Sequence, residues 1–153
     1  MTSFSFCQRW LFTVSVFMAI FGLVLAFFNQ TALFDLIFNN QVNPVFWGVK
    51  NVPETVGSFQ AWIYGVLGAT VSGWGIFMAF IAHYPFKERR RWAWNCMATG
   101  FTLWFLADTA ISLTFNVQFN AIFNIVLFVA LGTPLLFTRK KFKYETELGN
   151  NPI

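Results

Sequence analysis

Apolar positions in this chain gather into long runs holding at most one charge each, instead of the two-residue alternation of a half-buried strand. The first run covers 10–28, 19 residues without a charge. At 1.5 Å per residue it reaches about 28 Å, close to the hydrocarbon thickness of a bilayer. A secretory leader competes for a run preceded by Arg9. The run is longer than the usual ~7–15-residue leader core, however, and no A-x-A-like cleavage site follows Phe28, so it is read as a retained span. A second run, 53–83, opens at Pro53, a residue suited to a first helical turn, and stops at Tyr84-Pro85. A third covers 93–115 and a fourth 119–137, with Pro134 bending its last turns. Only 116–118 separate these two, which predicts a tight helical hairpin.

The connection 29–51 is long. In it Ala32, Leu33, Phe34, Leu36, Ile37 and Phe38 surround a single Asp35, too short a stretch to span. A short helix lying in the interface is expected, with Pro44, Phe46 and Trp47 turning back toward the mouth of the bundle. Such a segment acts as a lid or as an anchor, and anchoring is the commoner use. The predicted fold is therefore all-α: a polytopic membrane protein, one four-transmembrane-helix bundle over 1–153, with an interfacial segment between its first two helices and a cytoplasmic tail, 138–153.

Composition sharpens this picture. Of 153 residues 57% are apolar, 21% aromatic and 10% charged, against about 25% charged in ordinary soluble domains. The mean hydropathy is +0.58. Disorder, coiled coil, collagen and most soluble enzymes are excluded. A net charge of +4 would suggest nucleic acid in a soluble protein. Here the cations flank the spans, so no nucleic-acid partner is expected. Arg9, Lys87, Arg89, Arg90, Arg91, Arg139, Lys140, Lys141 and Lys143 all fall on one side, leaving Lys50 alone on the other. Basic loops stay cytoplasmic, which puts both termini inside, in a bacterial inner or plasma membrane. Trp10, Tyr84, Trp92, Trp94 and Tyr144 add an aromatic belt on that side. Lys87, Arg89, Arg90 and Arg91 form a collar suited to anionic lipid head groups, or to a cytoplasmic docking partner.

On the second span Gly57, Ala61, Gly65, Gly68, Ser72, Gly75 and Ala79 fall in one stripe. In lipid, helices associate by close backbone approach over small residues. The stripe therefore predicts a helix lying flush against it, from this chain, a second copy or another subunit. A groove for a flat pigment, quinone or sterol is the lesser alternative.

Polar chemistry concentrates on the third span. Asp108 is the only acid well inside any span, a placement that costs a few kcal/mol and defaults to a functional hypothesis. Counted outward from the hairpin, Asp108 and Asn124 lie at similar depth, with Asn120 one turn nearer the surface. Asp108, Ser112, Asn120 and Asn124 are expected to line a polar chamber, with Gln60 and Glu54 approaching the same mouth. An Asp108–Asn124 clamp satisfies these groups without a ligand, and interhelical bonds of this type are common glue. No cofactor is expected. His83, the single histidine, offers one axial ligand to a macrocycle, but an interfacial aromatic role is more ordinary. Cys7 and Cys96 have no metal-site spacing and read as free thiols on the reducing side. Asn29-Gln30-Thr31 matches a glycosylation sequon that abuts the membrane.

Two functional classes follow. The first is a non-enzymatic accessory or stabilising subunit of a larger membrane assembly, suggested by the stripe, by 22 phenylalanines and by the lack of a convergent catalytic set. The second is a small carrier, ligand-binding protein or enzyme for a lipid-soluble molecule, centred on Asp108.

Overall fold

The computed structural model describes residues 3–142. Helix α1 (Ser3–Phe27) is followed by a re-entrant segment, a single turn α2 (Ala32–Phe34), a π-helical turn (Asp35–Asn39) and α3 (Asn40–Trp47). Then come α4 (Glu54–His83), α5 (Arg91–Thr114), α6 (Gln118–Thr138) and a 3-10 turn, Arg139–Phe142. Four helices are long and apolar enough to cross a membrane. Large apolar side chains such as Phe17, Phe27, Phe77, Leu103 and Phe137 face outward.

Helix α4 matches its apolar run, 53–83, to within a residue, while α6 overruns its own by one residue at each end and α1 begins well before its run. In α1 the buried face continues through Phe4, Cys7 and Gln8 past the single cation Arg9, and the helix starts at Ser3. The 3-10 turn that follows α6 stays packed on the bundle. Phe142 is 3% exposed and packs on Phe4 at 5.8 Å and Phe86 at 4.8 Å between ring centres. Residues 143–153, with Lys143 and Tyr144, lie outside the described residues.

The stripe on α4 finds its partner within the chain. It lies antiparallel along α1, where Ser15, Ala19, Gly22 and Ala26 make the matching small-residue face. A Cβ on Gly68 would sit 2.9 Å from Ala26 Cα, and one on Gly75 2.9 Å from Ala19 Cα. One on Gly22 would sit 2.7 Å from Ser72 Cα. Only glycine fits at these three places. Gly57, by contrast, has open space around it, so the stripe ends before that residue.

Side-chain amides clamp both ends of this seam. Gln8 Nε2 donates to Ala82 O at 2.9 Å, and Asn29 Nδ2 to Ala61 O at 3.2 Å. Positions 8, 15, 22 and 29 thus oppose 82, 75, 68 and 61, a seven-residue step on both helices. That repeat is the pattern of left-handed supercoiling. The Asn29 amide also donates to Leu25 O at 2.9 Å, so the nitrogen of the sequon is committed to the fold.

Prolines free carbonyls that other groups then satisfy, as a backbone without water requires. Pro134 has no N–H for Ala130 O, and the Trp10 indole donates to that oxygen at 2.8 Å from α1. Pro85 has none for Ile81 O, and the Phe86 N–H takes it at 3.0 Å. In the hairpin, Asn116 carries the positive φ of 59° that reverses the chain.

Candidate functional site

Helix α1 sits between α4 and α6, and α5 packs on α6, with Phe105 and Phe128 stacked at 4.2 Å. α5 meets α4 chiefly through rings, Trp74 on Phe101 at 5.8 Å and on Trp104 at 6.0 Å. Toward the end away from the 87–91 loop these helices leave a cavity of about 370 Å³. Its wall is mostly aromatic and aliphatic, with Phe21, Tyr64, Leu67, Val71, Trp104 and Phe123 among the lining. Asp108, Ser112, Asn120 and Asn124 supply its polar groups.

Three of these four form one network. Asn120 Nδ2 donates to Asp108 Oδ1 at 2.7 Å and lies 2.8 Å from Ser112 Oγ. The Ser112 hydroxyl lies 3.2 Å from Asp108 Oδ1 and 2.7 Å from Asp108 O. Asn124 is not part of it. Its amide, 1% exposed, donates to Thr109 Oγ1 at 3.4 Å. The expected Asp108–Asn124 clamp is therefore corrected to Asp108–Asn120. Counting from the hairpin gives depth, but one residue also turns the face by about 100°, and that rotation hands Asn124 to Thr109. Asp108 Oδ2 accepts no hydrogen bond from any described residue, and the residue lines the cavity.

The re-entrant segment packs over one end of this cavity. Phe38 packs edge-on to Phe119 at 5.7 Å, and Phe46 lies 6.1 Å from Phe115. Phe38, Val42 and Phe46 line the cavity, while Leu33, Leu36 and Ile37 stay exposed on the outer side. Phe34, Phe38, Val42 and Phe46 recur every four residues, as do Asp35, Asn39 and Asn43. On a regular helix a four-residue step drifts by about 40° each time. The π turn, with the Asn40 N–H bonded to Asp35 O, adds a residue to one turn and takes back that drift. One face then serves the cavity and the other a separate cleft.

That cleft receives Gln60 and Glu54, which do not join the Asp108 chamber. Gln60 Nε2 donates to Asn43 Oδ1 at 2.7 Å, and Asn43 Nδ2 to Lys50 O at 2.8 Å. Tyr64 lines both cavities and stands between them. Asn39, Asn40 and Asn43 also line this cleft, and the four-residue alternation of polar and aromatic positions is the sequence signal that marks Asn39 and Asn43.

At the opposite end, Arg89 Cζ lies 4.9 Å from the centre of the Phe4 ring and Arg90 Nε is 3.2 Å from Glu88 Oε2. Arg89 and Arg90 thus contact their own chain, and all four collar cations are exposed. His83 packs on Phe12 at 5.3 Å and Tyr84 at 4.7 Å, beside an outer groove between α1 and α4. Cys7 is buried, Cys96 exposed, and both are free. Among the described residues no cluster of three metal-binding side chains occurs. Compared with protein-family models, curated proteins and solved structures, the chain matches none.

Proposed function

We propose that this protein is a membrane-embedded binding protein for a lipid-soluble molecule with an apolar body and a hydrogen-bond-donating head. The observation that carries this reading is a cavity of about 370 Å³, apolar except at one end, where Asp108 keeps an oxygen open. Binding sites of this size combine apolar walls with a few fixed polar groups. The bonds from Asn120 and Ser112 hold the carboxyl in place before a ligand arrives, which lowers the cost of binding. A ligand hydroxyl or amide N–H meeting Oδ2 completes the set. The accessory-subunit reading drew on the small-residue stripe, and α1 of the same chain occupies that stripe.

In this proposal both termini and the 87–91 loop face the cytoplasm of a bacterial inner or plasma membrane, with Lys87, Arg89, Arg90 and Arg91 against anionic lipid. A Lys141→Cys probe should label from the inner side of sealed membranes; labelling from outside reverses the assignment. Occupancy is tested by native mass spectrometry of the chain taken from its membrane in mild detergent. The expected spectrum carries an organic adduct that solvent releases. Val71→Phe, which fills the cavity, should fold and lose it. An adduct retained in that variant, or none in either, counts against the proposal.

A further inference from the structure

We propose that the amide-rich cleft at the end of the bundle opposite the 87–91 loop is a second binding site, for an uncharged polyhydroxylated group such as a sugar or polyol ring. The proposal stands apart from the inner cavity and does not require it to be occupied.

The cleft holds about 420 Å³ between the re-entrant segment and the first turns of α4. Gln30, Asn39, Asn40, Asn51 and Ser58 line it. Amide and hydroxyl side chains each offer donors and acceptors at fixed spacing, and a ring bearing several hydroxyls presents the same mixture. Formal charge nearly cancels, with Asp35 and Glu54 against Lys50, which gives an anionic phosphate no advantage. Tyr64 adds a ring on which the C–H side of a sugar can rest.

Asn39 braces the wall of the cleft from within. Its Nδ2 gives a hydrogen bond to Asp35 Oδ1 at 2.6 Å, which fixes the orientation of the amide. Its Oδ1 is then buried with no partner among the described residues. The side chains of Gln30, Asn40, Asn51 and Ser58, by contrast, make no hydrogen bond to any described residue and keep their donors and acceptors free for a ligand in the cleft. The walls are already set, because Gln60, Asn43 and the Lys50 carbonyl are bonded to one another and have no part to rearrange.

The same ring chemistry has two sources, a glycolipid head group in the adjacent leaflet or a sugar free in solution. The test uses the full chain in phosphatidylcholine nanodiscs, since glycosidic detergents would fill the cleft. Saturation-transfer NMR is recorded with methyl β-glucopyranoside in solution, and separately with nanodiscs carrying monoglucosyl diacylglycerol. Saturable transfer to the glucosyl ring protons is expected from at least one source, and the responding arm identifies it. Affinity should fall at least tenfold in Asn39→Ala/Asn40→Ala and stay unchanged in Asp108→Asn, which alters only the inner cavity. If the double variant does not fold, Asn51→Leu and Ser58→Val on the opposite wall should each weaken binding. No transfer from either source, transfer unaffected by these variants, or displacement by tetramethylammonium instead of glucoside overturns the proposal.

Discussion

The two long sides of α4 meet their neighbours in opposite ways. On one side Gly65, Gly68, Ser72 and Gly75 let α1 approach until backbone touches backbone. On the other side Tyr64, Leu67, Val71 and Trp74 hold α5 away, and a cavity remains. In a bilayer, which these four helices are long and apolar enough to cross, lipid would supply no hydrophobic drive to close such a gap, because acyl chains are as apolar as the side chains they touch. Helices come together only where shape allows many short contacts, each worth ~0.1–0.2 kcal/mol. Side-chain size along one helix thus decides where this bundle is solid and where it is hollow.

The largest effects belong to the solid side. Gly68→Leu should cost ~3 kcal/mol or more, since its Cβ alone would already meet the Ala26 backbone. Gly22→Ala and Gly75→Ala should each cost about 1–3 kcal/mol by the same crowding. Gly57→Ala and Gly73→Ala, which open on empty space, should be neutral or gain up to about 1 kcal/mol of helix propensity. Thermal unfolding in one detergent measures all five. Equal losses in the two groups would mean that the α1–α4 contact is not close-packed.

A smaller loss, about 1 kcal/mol, is expected for Trp10→Phe, which keeps the ring and strands the Ala130 carbonyl freed by Pro134. The same substitution in a Pro134→Ala background should cost less, because the restored N–H then serves that carbonyl. Equal losses in both backgrounds would show that the indole does not act through this bond.

The smallest effects sharpen the hollow side. A double-mutant cycle between Asp108 and Asn120 should give a coupling of about 0.6–1.7 kcal/mol, the range of interhelical polar contacts in membranes. The cycle between Asp108 and Asn124 should give none, because Asn124 bonds to Thr109. Reversal of the two results would restore the clamp expected from depth alone.

Much of the solid side was legible in the sequence and less of the hollow one. The α4 stripe stands out because its small residues are nearly uninterrupted at helical spacing. Its mate on α1 is hidden, since Ser15, Gly22 and Asn29 alternate with Leu11, Met18 and Leu25 along one buried face. The seven-residue step shared by the two helices is the feature that would have paired them. At the site, Asp108, Ser112 and Asn120 could be brought together by counting along a short hairpin. Counting sets depth and leaves rotation open, so Asn124 was paired wrongly. Gln60 and Glu54 went to the wrong chamber for a different reason. Their neighbours come from the re-entrant segment, whose π turn breaks the 3.6-residue period on which face assignments rest.

Tryptophan fluorescence reads occupation of the hollow side directly, because Trp74 and Trp104 line the cavity. Full-length chain in phosphatidylcholine nanodiscs is titrated with 11-bromoundecanol, an apolar body with a hydroxyl donor and a heavy-atom quencher. Saturable quenching above the linear background of lipid-exposed rings is predicted for the natural chain, with the saturable part lost in Val71→Phe and weakened in Asp108→Leu. Quenching that rises linearly and alike in all three proteins would contradict the claim that this cavity binds an amphiphile.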